Sequence, residues 1–125
     1  MSKPTGGRPG RKLGYEAPAT LRATRTPEMK DLHWAAGLIE GEGSFASPNG
    51  SQVVQVEMTD AEPPRRLLEL FGGSFGIRKR KPPRLPLYGW TVSGSRARGV
   101  MLTLYSLLCP RRQAQIRFTF SHSEA

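Results

Sequence analysis

Twice along this chain a helix signal is followed by two strand signals, and that doubled order constrains the fold more than any other feature. The first helix is announced by Thr26 as N-cap and by Pro27 at the first helical position, where no N–H is needed. Glu28 and Asp31 complement the positive end of its dipole. The helix is expected to run to about Gly41, with a short strand at Ser44 to Ala46 and a turn at Asn49-Gly50. A longer strand, Ser51 to Thr59, alternates: Val54, Val56 and Met58 on one face, Val53, Gln55, Glu57 and Thr59 on the other. The second round opens at Asp60, which caps a helix that tolerates Pro63 and Pro64 only in its first turn. Leu67, Leu68, Leu70 and Phe71 give it an apolar stripe, and Gly72-Gly73 ends it.

Two more strands follow, at about Ser74 to Arg80 and Leu87 to Val92, joined by a loop with Pro82, Pro83 and Pro86. In the first, Phe75 and Ile77 alternate with Gly76, Arg78 and Arg80. In the second, Tyr88, Trp90 and Val92 alternate with Leu87, Gly89 and Thr91. A third helix, from about Ser95 to Leu108, is broken by Pro110, and a last helical segment runs from about Arg111 to Phe120. Repeated α-β-β units with antiparallel hairpins imply an α+β fold of the order αββαββα, one curved antiparallel sheet with helices on a single face.

Charge divides the chain into three blocks. Residues 1–27 hold six basic and one acidic side chain, 28–75 three basic and eight acidic, and 76–125 ten basic and one acidic. The net charge of +9 points to a polyanionic partner. Acids gathered apart from bases fit a metal-dependent enzyme that grips such a partner, where a merely solvated surface would scatter both signs. Residues 1–26, rich in Gly and Pro, read as a disordered basic arm, and residues 27–125 as the folded domain. Within the arm, Gly7-Arg8-Pro9-Gly10-Arg11-Lys12 is similar to the core of an AT-hook without its leading Arg; a plain solvated tail is the simpler reading. The single cysteine, Cys109, permits no internal disulfide. With no apolar run long enough for a membrane span and no signal-peptide stretch, the expectation is an intracellular protein without a membrane partner.

Gly37 and Gly41 lie four apart and share a helix face. Each costs about 1 kcal/mol against alanine in a helix interior, so their use lies in close approach by another helix. Packing on the chain's own sheet is one such use. A second copy of the same helix is the other, and it would bring two Glu42 side chains together on a two-fold axis. Paired carboxylates repel unless a cation lies between them, and oxygen ligands beside phosphate suit Mg²⁺.

At Ala35-Ala36-Gly37-Leu38-Ile39-Glu40-Gly41-Glu42-Gly43 the chain resembles the LAGLIDADG homing-endonuclease family, whose motif reads Leu-Ala-Gly-Leu-Ile-Asp-Ala-Asp-Gly. The resemblance continues through Ser44-Phe45, Met58-Thr59-Asp60, Phe71-Gly72-Gly73, Tyr88-Gly89-Trp90 and Arg111-Arg112-Gln113, over roughly residues 28–118. It implies a single-motif, homodimeric site-specific endonuclease of a mobile element, hydrolysing phosphodiester bonds of double-stranded DNA with Mg²⁺ or Mn²⁺ and no other cofactor. Glu42 matches the metal-binding acid and Gly41 the carbonyl that joins it. Asp60 matches the residue that orders water, and Arg111 or Arg112 would supply positive charge. The dimer interface is expected at Trp34, Gly37, Leu38 and Gly41, and DNA contact at Gln55, Thr59, Arg78, Lys79, Arg80, Lys81 and Arg84. Two departures stand out: Glu42 replaces an Asp, and Pro110 stands where the family often has Lys. Two other readings stay open. One is the same fold acting as a DNA-binding regulator or RNA-splicing maturase without cleavage; the other is a basic RNA-associated protein.

Overall fold

A computed structural model describes residues 19–121. The AT-hook-like segment at 7–12 lies outside them. The chain forms helix α1 (Met29–Glu42), strands β1 (Gly43–Ala46) and β2 (Val53–Met58), helix α2 (Glu62–Phe71), strands β3 (Ser74–Arg78) and β4 (Leu87–Ser93), helix α3 (Gly94–Leu104), a 3₁₀ turn (Tyr105–Leu107) and helix α4 (Pro110–Ser121). The four strands make one antiparallel sheet in the order β1-β2-β4-β3. The class is therefore α+β. Among the described residues no helix is long and apolar enough to cross a membrane.

Alternation sorts the sheet into two faces. Val54 and Val56 of β2 and Trp90 and Val92 of β4 are buried in one cluster with Ala35, Ala36 and Ile39 of α1 and Leu67 of α2. Ala97, Val100, Met101 and Leu104 of α3 and Ile116 of α4 complete that cluster. All four helices thus draw on the same sheet face, as strand alternation requires. Trp90 is fully buried, and its indole N–H donates to the Gly72 carbonyl at 2.8 Å, so its one polar atom is satisfied. Replacing it with alanine removes about 3–5 kcal/mol of packing.

Gly72 and Gly73 end α2 at φ +73° and +113°. A Cβ on Gly72 would stand 2.6 Å from the Leu21 carbonyl oxygen, and one on Gly73 2.5 Å from that of Thr91. Leu21 pairs with Gly73 through two backbone hydrogen bonds of 2.7 and 2.8 Å, and the Thr24 N–H donates to the Glu69 carbonyl at 2.9 Å. Residues 21–25, expected within a disordered arm, are therefore ordered against the domain. Residues 21–25 are laid along α2 and β3, because the glycine pair leaves room for a passing strand.

Three boundaries also move. The N-cap of α1 is Glu28, not Thr26, because the Asp31 carboxylate accepts the Glu28 N–H at 2.9 Å and sets the start of the helix there. β3 stops at Arg78 rather than Arg80. Pro110 opens α4 at its first position as well as separating it from the turn before.

Candidate nucleic-acid interface and metal site

The sheet face turned away from the helices carries a polar row. Register aligns Ser44, Gln55, Thr91 and Ser74 across all four strands. The next row on that face is Glu57, Gly89 and Gly76. Two opposed glycines leave β4 bare there, and Arg78 crosses it from β3 to grip Glu57 on β2. Its Nη2 and Nε donate to the two carboxylate oxygens at 2.8 and 3.2 Å. The expectation that Arg78 faces away from Phe75 and Ile77 agrees with the register, but its guanidinium is engaged by Glu57. Sequence reading placed Glu57 on this polar face without assigning it a task. No local signal pairs residues on non-adjacent strands.

Beyond β3 the hairpin carries Lys79, Arg80, Lys81 and Arg84. Lys79, Lys81 and Arg84 are exposed. Arg80, expected on the strand, instead lies in the loop, and its Nε–H donates to the Leu85 carbonyl at 2.8 Å. Thr59 lies just past β2 and is exposed.

Glu42 is the last residue of α1, and it is exposed. The sheet register shows which other groups share its end of the molecule. β1 begins beside Val56, β2 ends beside Tyr88, and β3 ends beside Leu87. Glu42, Asp60 and the basic hairpin therefore all leave the sheet at one end. The N-cap of α2 is Ala61 rather than Asp60, which stands one place earlier, its Oδ1 accepting the Glu62 N–H at 3.0 Å, and is exposed as well.

The end of α1 is bolted to the start of α4. Arg112 is 8% exposed. It donates to the Glu40 carbonyl at 3.1 and 3.3 Å and to the Gly43 carbonyl at 2.7 Å. The first is among the carbonyls that a helix leaves without partners at its C-terminus, and the second belongs to the C-cap. The expectation of Arg112 as a charge offered to substrate therefore changes: its Nε and Nη2 are spent on backbone around Glu42, and its Nη1 donates to the Gln115 side chain at 2.9 Å. Arg111, its neighbour, is exposed. The Glu40 carboxylate accepts the Cys109 thiol at 2.6 Å and the Cys109 N–H at 3.1 Å. Those two bonds, the thiol's above all, hold the Glu40 carboxyl below its usual range.

Gly37 and Gly41 face outward: among the described residues a Cβ on either meets nothing within 4 Å. Close packing on the chain's own sheet is thus excluded as their reason. Met29 and His33, on the same stripe one and two turns earlier, are exposed too. Trp34 and Leu38 are half-buried beside that stripe and pack against the core. The Trp34 ring lies 4.0 Å under the Arg66 guanidinium.

The Glu42 carboxylate and the Gly41 carbonyl at the end of α1 are oxygen groups, which suit a hard cation such as Mg²⁺. Among the described residues no three His, Cys, Asp or Glu side chains gather as a metal group. Comparison of the chain with protein-family models, with curated proteins and with solved structures gives no match in any of the three.

Proposed function

We propose that the protein is a homodimeric, divalent-metal-dependent endonuclease of double-stranded DNA, of the LAGLIDADG type. The observation that carries this reading is α1 itself. Its glycine stripe faces outward with nothing among the described residues against it, and the stripe leads directly to the exposed Glu42. A second copy packed glycine to glycine on that stripe would set two carboxylates side by side. Glu42 and the Gly41 carbonyl would hold the cation, which supplies positive charge for the attacked phosphodiester and for the attacking water.

The other residues bind and position. The polar row Ser44, Gln55, Thr91 and Ser74 presents hydrogen-bonding groups on a ribbon that suits the major groove. Lys79, Lys81, Arg84 and Arg111 neutralise phosphate. Asp60, at the same end of the sheet as Glu42, orders water. Arg112 keeps the last turn of α1 from fraying, and so keeps Glu42 in place.

The test is incubation of the full chain with duplexes covering the DNA around its own gene. Cutting with Mg²⁺, no cutting with EDTA, and none by Glu42→Gln that still binds is the expected result. Full cleavage by the Gln variant would remove Glu42 from the mechanism. A second reading, a DNA-binding module that does not cut, is favoured by one observation: Arg112 is buried and committed to backbone carbonyls, and Pro110 precedes it. That reading requires specific binding with no cleavage under any divalent metal.

A further inference from the structure

The hairpin between β3 and β4 has an apolar tip inside a cationic rim. Leu85 is 61% exposed, and Pro82 and Pro83 beside it are exposed as well. Around them stand Lys79, Arg80, Lys81 and Arg84, and from residue 76 to residue 123 the sequence holds no acid at all. A single exposed leucine is ordinary on a protein surface. This one differs because its backbone is held. The Arg80 Nε–H donates to the Leu85 carbonyl at 2.8 Å, and the Arg84 N–H closes a turn on the Lys81 carbonyl at 3.0 Å. Pro82, Pro83 and Pro86 fix φ at three of the five positions from 82 to 86. Little ordering entropy remains to be lost when the tip meets a partner.

We infer that Leu85 is a wedge that inserts between stacked base pairs of duplex DNA, with Lys81 and Arg84 anchoring the phosphates on either side. This rests on the DNA-binding reading above and extends it to deformation of the duplex. The argument is one of complementary chemistry. An apolar side chain on a fixed backbone gains by entering a base stack, where it leaves water, and cations around it offset the phosphate charge that the approach crowds together. Unstacking a step costs a few kcal/mol, and the bent duplex repays it by lying against more of the protein. The hairpin leaves the sheet at the edge opposite β1. Three strand spacings of about 4.8 Å separate β3 from β1, so the deformed step lies several base pairs from the phosphate beside Glu42.

The test uses short duplexes recovered by the full-length chain from a random pool, each rebuilt with 2-aminopurine at successive positions. Fluorescence of this base rises when it unstacks. Wild type is expected to give a rise confined to one step. Leu85→Met keeps it, and Leu85→Ser abolishes it while weakening binding by about tenfold, a modest share of the contacts a bent site gains. Arg84→Gln lowers affinity and the salt slope but keeps the rise. A bound duplex with no rise at any position, or an undiminished rise with Leu85→Ser, overturns the wedge while leaving DNA binding intact. Recovery of no duplex at all sinks the DNA-binding reading, and the wedge with it. Binding to phosphatidylserine vesicles that disappears in Leu85→Ser, with no 2-aminopurine signal, would reassign the tip to a membrane surface.

Discussion

Two carboxylates stand at opposite ends of α1, and the molecule treats them in opposite ways. Asp31, in the first turn, is 1% exposed. It accepts from Arg25 at 2.9 and 3.2 Å, from Arg66 at 3.3 Å and from the Glu28 N–H at 2.9 Å. The Arg25 guanidinium, the Glu28 N–H and the Arg66 guanidinium hold its carboxyl far below the usual carboxylate range, against the opposing pull of burial. The helix dipole favours a negative charge there as well. Glu42, in the last turn, is exposed and sits where the dipole disfavours it. The first acid ties the N-terminal segment, α1 and α2 into one piece. Among the described residues the second makes no comparable tie, and on the proposed reading its task is to hold a cation.

The comparison makes different demands on each residue. The largest effect should come from Glu42→Gln. Cleavage should fall on the order of 10²–10³-fold, the scale for losing one group that stabilises transition-state charge, while the thermal midpoint stays put. A midpoint that drops with the cut rate would make Glu42 a structural residue like Asp31 and collapse the contrast.

Next in size is the outward stripe between the two acids. Gly37→Leu should weaken self-association by ten- to a hundredfold, the equivalent of about 1–3 kcal/mol of overpacking at a close helix contact. Sedimentation across a concentration series reads this directly. Gly37→Ala sharpens the point. With nothing within 4 Å of the new Cβ, it should stabilise an isolated protomer by about 0.5–1 kcal/mol through helix propensity alone. A destabilised protomer would mean that the stripe packs on something within its own chain.

Asp31→Asn should do the reverse of Glu42→Gln. It lowers the thermal midpoint, and DNA cutting by the protein that remains folded continues at its normal rate. The pH dependence follows from the direction of the shift. The folded-state pKa of Asp31 lies below its unfolded value. Its contribution is therefore complete above the ordinary carboxylate range near pH 4 and is lost only as pH falls through the lower, folded pKa. Acid titrations followed by circular dichroism should show a shallower acid limb in the Asn variant. Equal limbs would mean that Asp31 is not ionised and paired in the folded state.

The smallest effect belongs to the half-exposed pair Glu57 and Arg78. Glu57→Gln should change stability by no more than about 1 kcal/mol, as for partly exposed ion pairs. It should nevertheless loosen sequence preference at a single base position, because Arg78 loses the carboxylate that fixes its orientation. A selection on randomised targets distinguishes this from a uniform loss of affinity.

Much of the architecture was legible in local signals. Asp60 marks the start of α2 to within one residue of its N-cap, Ala61, and Gly72-Gly73 ends that helix, as the glycine pair implied. Val54 and Val56 are buried, and Gln55 faces the other way, as alternation required. The element order α-β-β-α-β-β-α with a further helix stands. Misplacements occurred where a distant contact overruled a local one. Thr26 was a reasonable N-cap, yet that role fell to Glu28, whose N–H bonds an Asp31 carboxylate held by Arg25 and by Arg66, which lies 35 residues away. Residues 21–25 had the composition of a loose arm, yet backbone pairing with Gly73 and Glu69 holds them.

The sequence by itself determined which segments are helix and which are strand, which face of each is apolar, and that Glu42 closes a helix beside two glycines. Those features depend on periodicity, caps and turn residues, which act over one or two turns of chain. Only the tertiary structure decided the strand order β1-β2-β4-β3, the outward direction of Gly37 and Gly41, and which arginine does which task. Arg112 closes the end of α1 across 69 to 72 residues, Arg78 spans a strand to reach Glu57, and Arg80 braces a loop. Their side chains are chemically identical, and nothing in their immediate neighbours distinguishes them. Their tasks follow from which carbonyl or carboxylate the packed chain brings within about 3 Å of each guanidinium, the reach of a hydrogen bond.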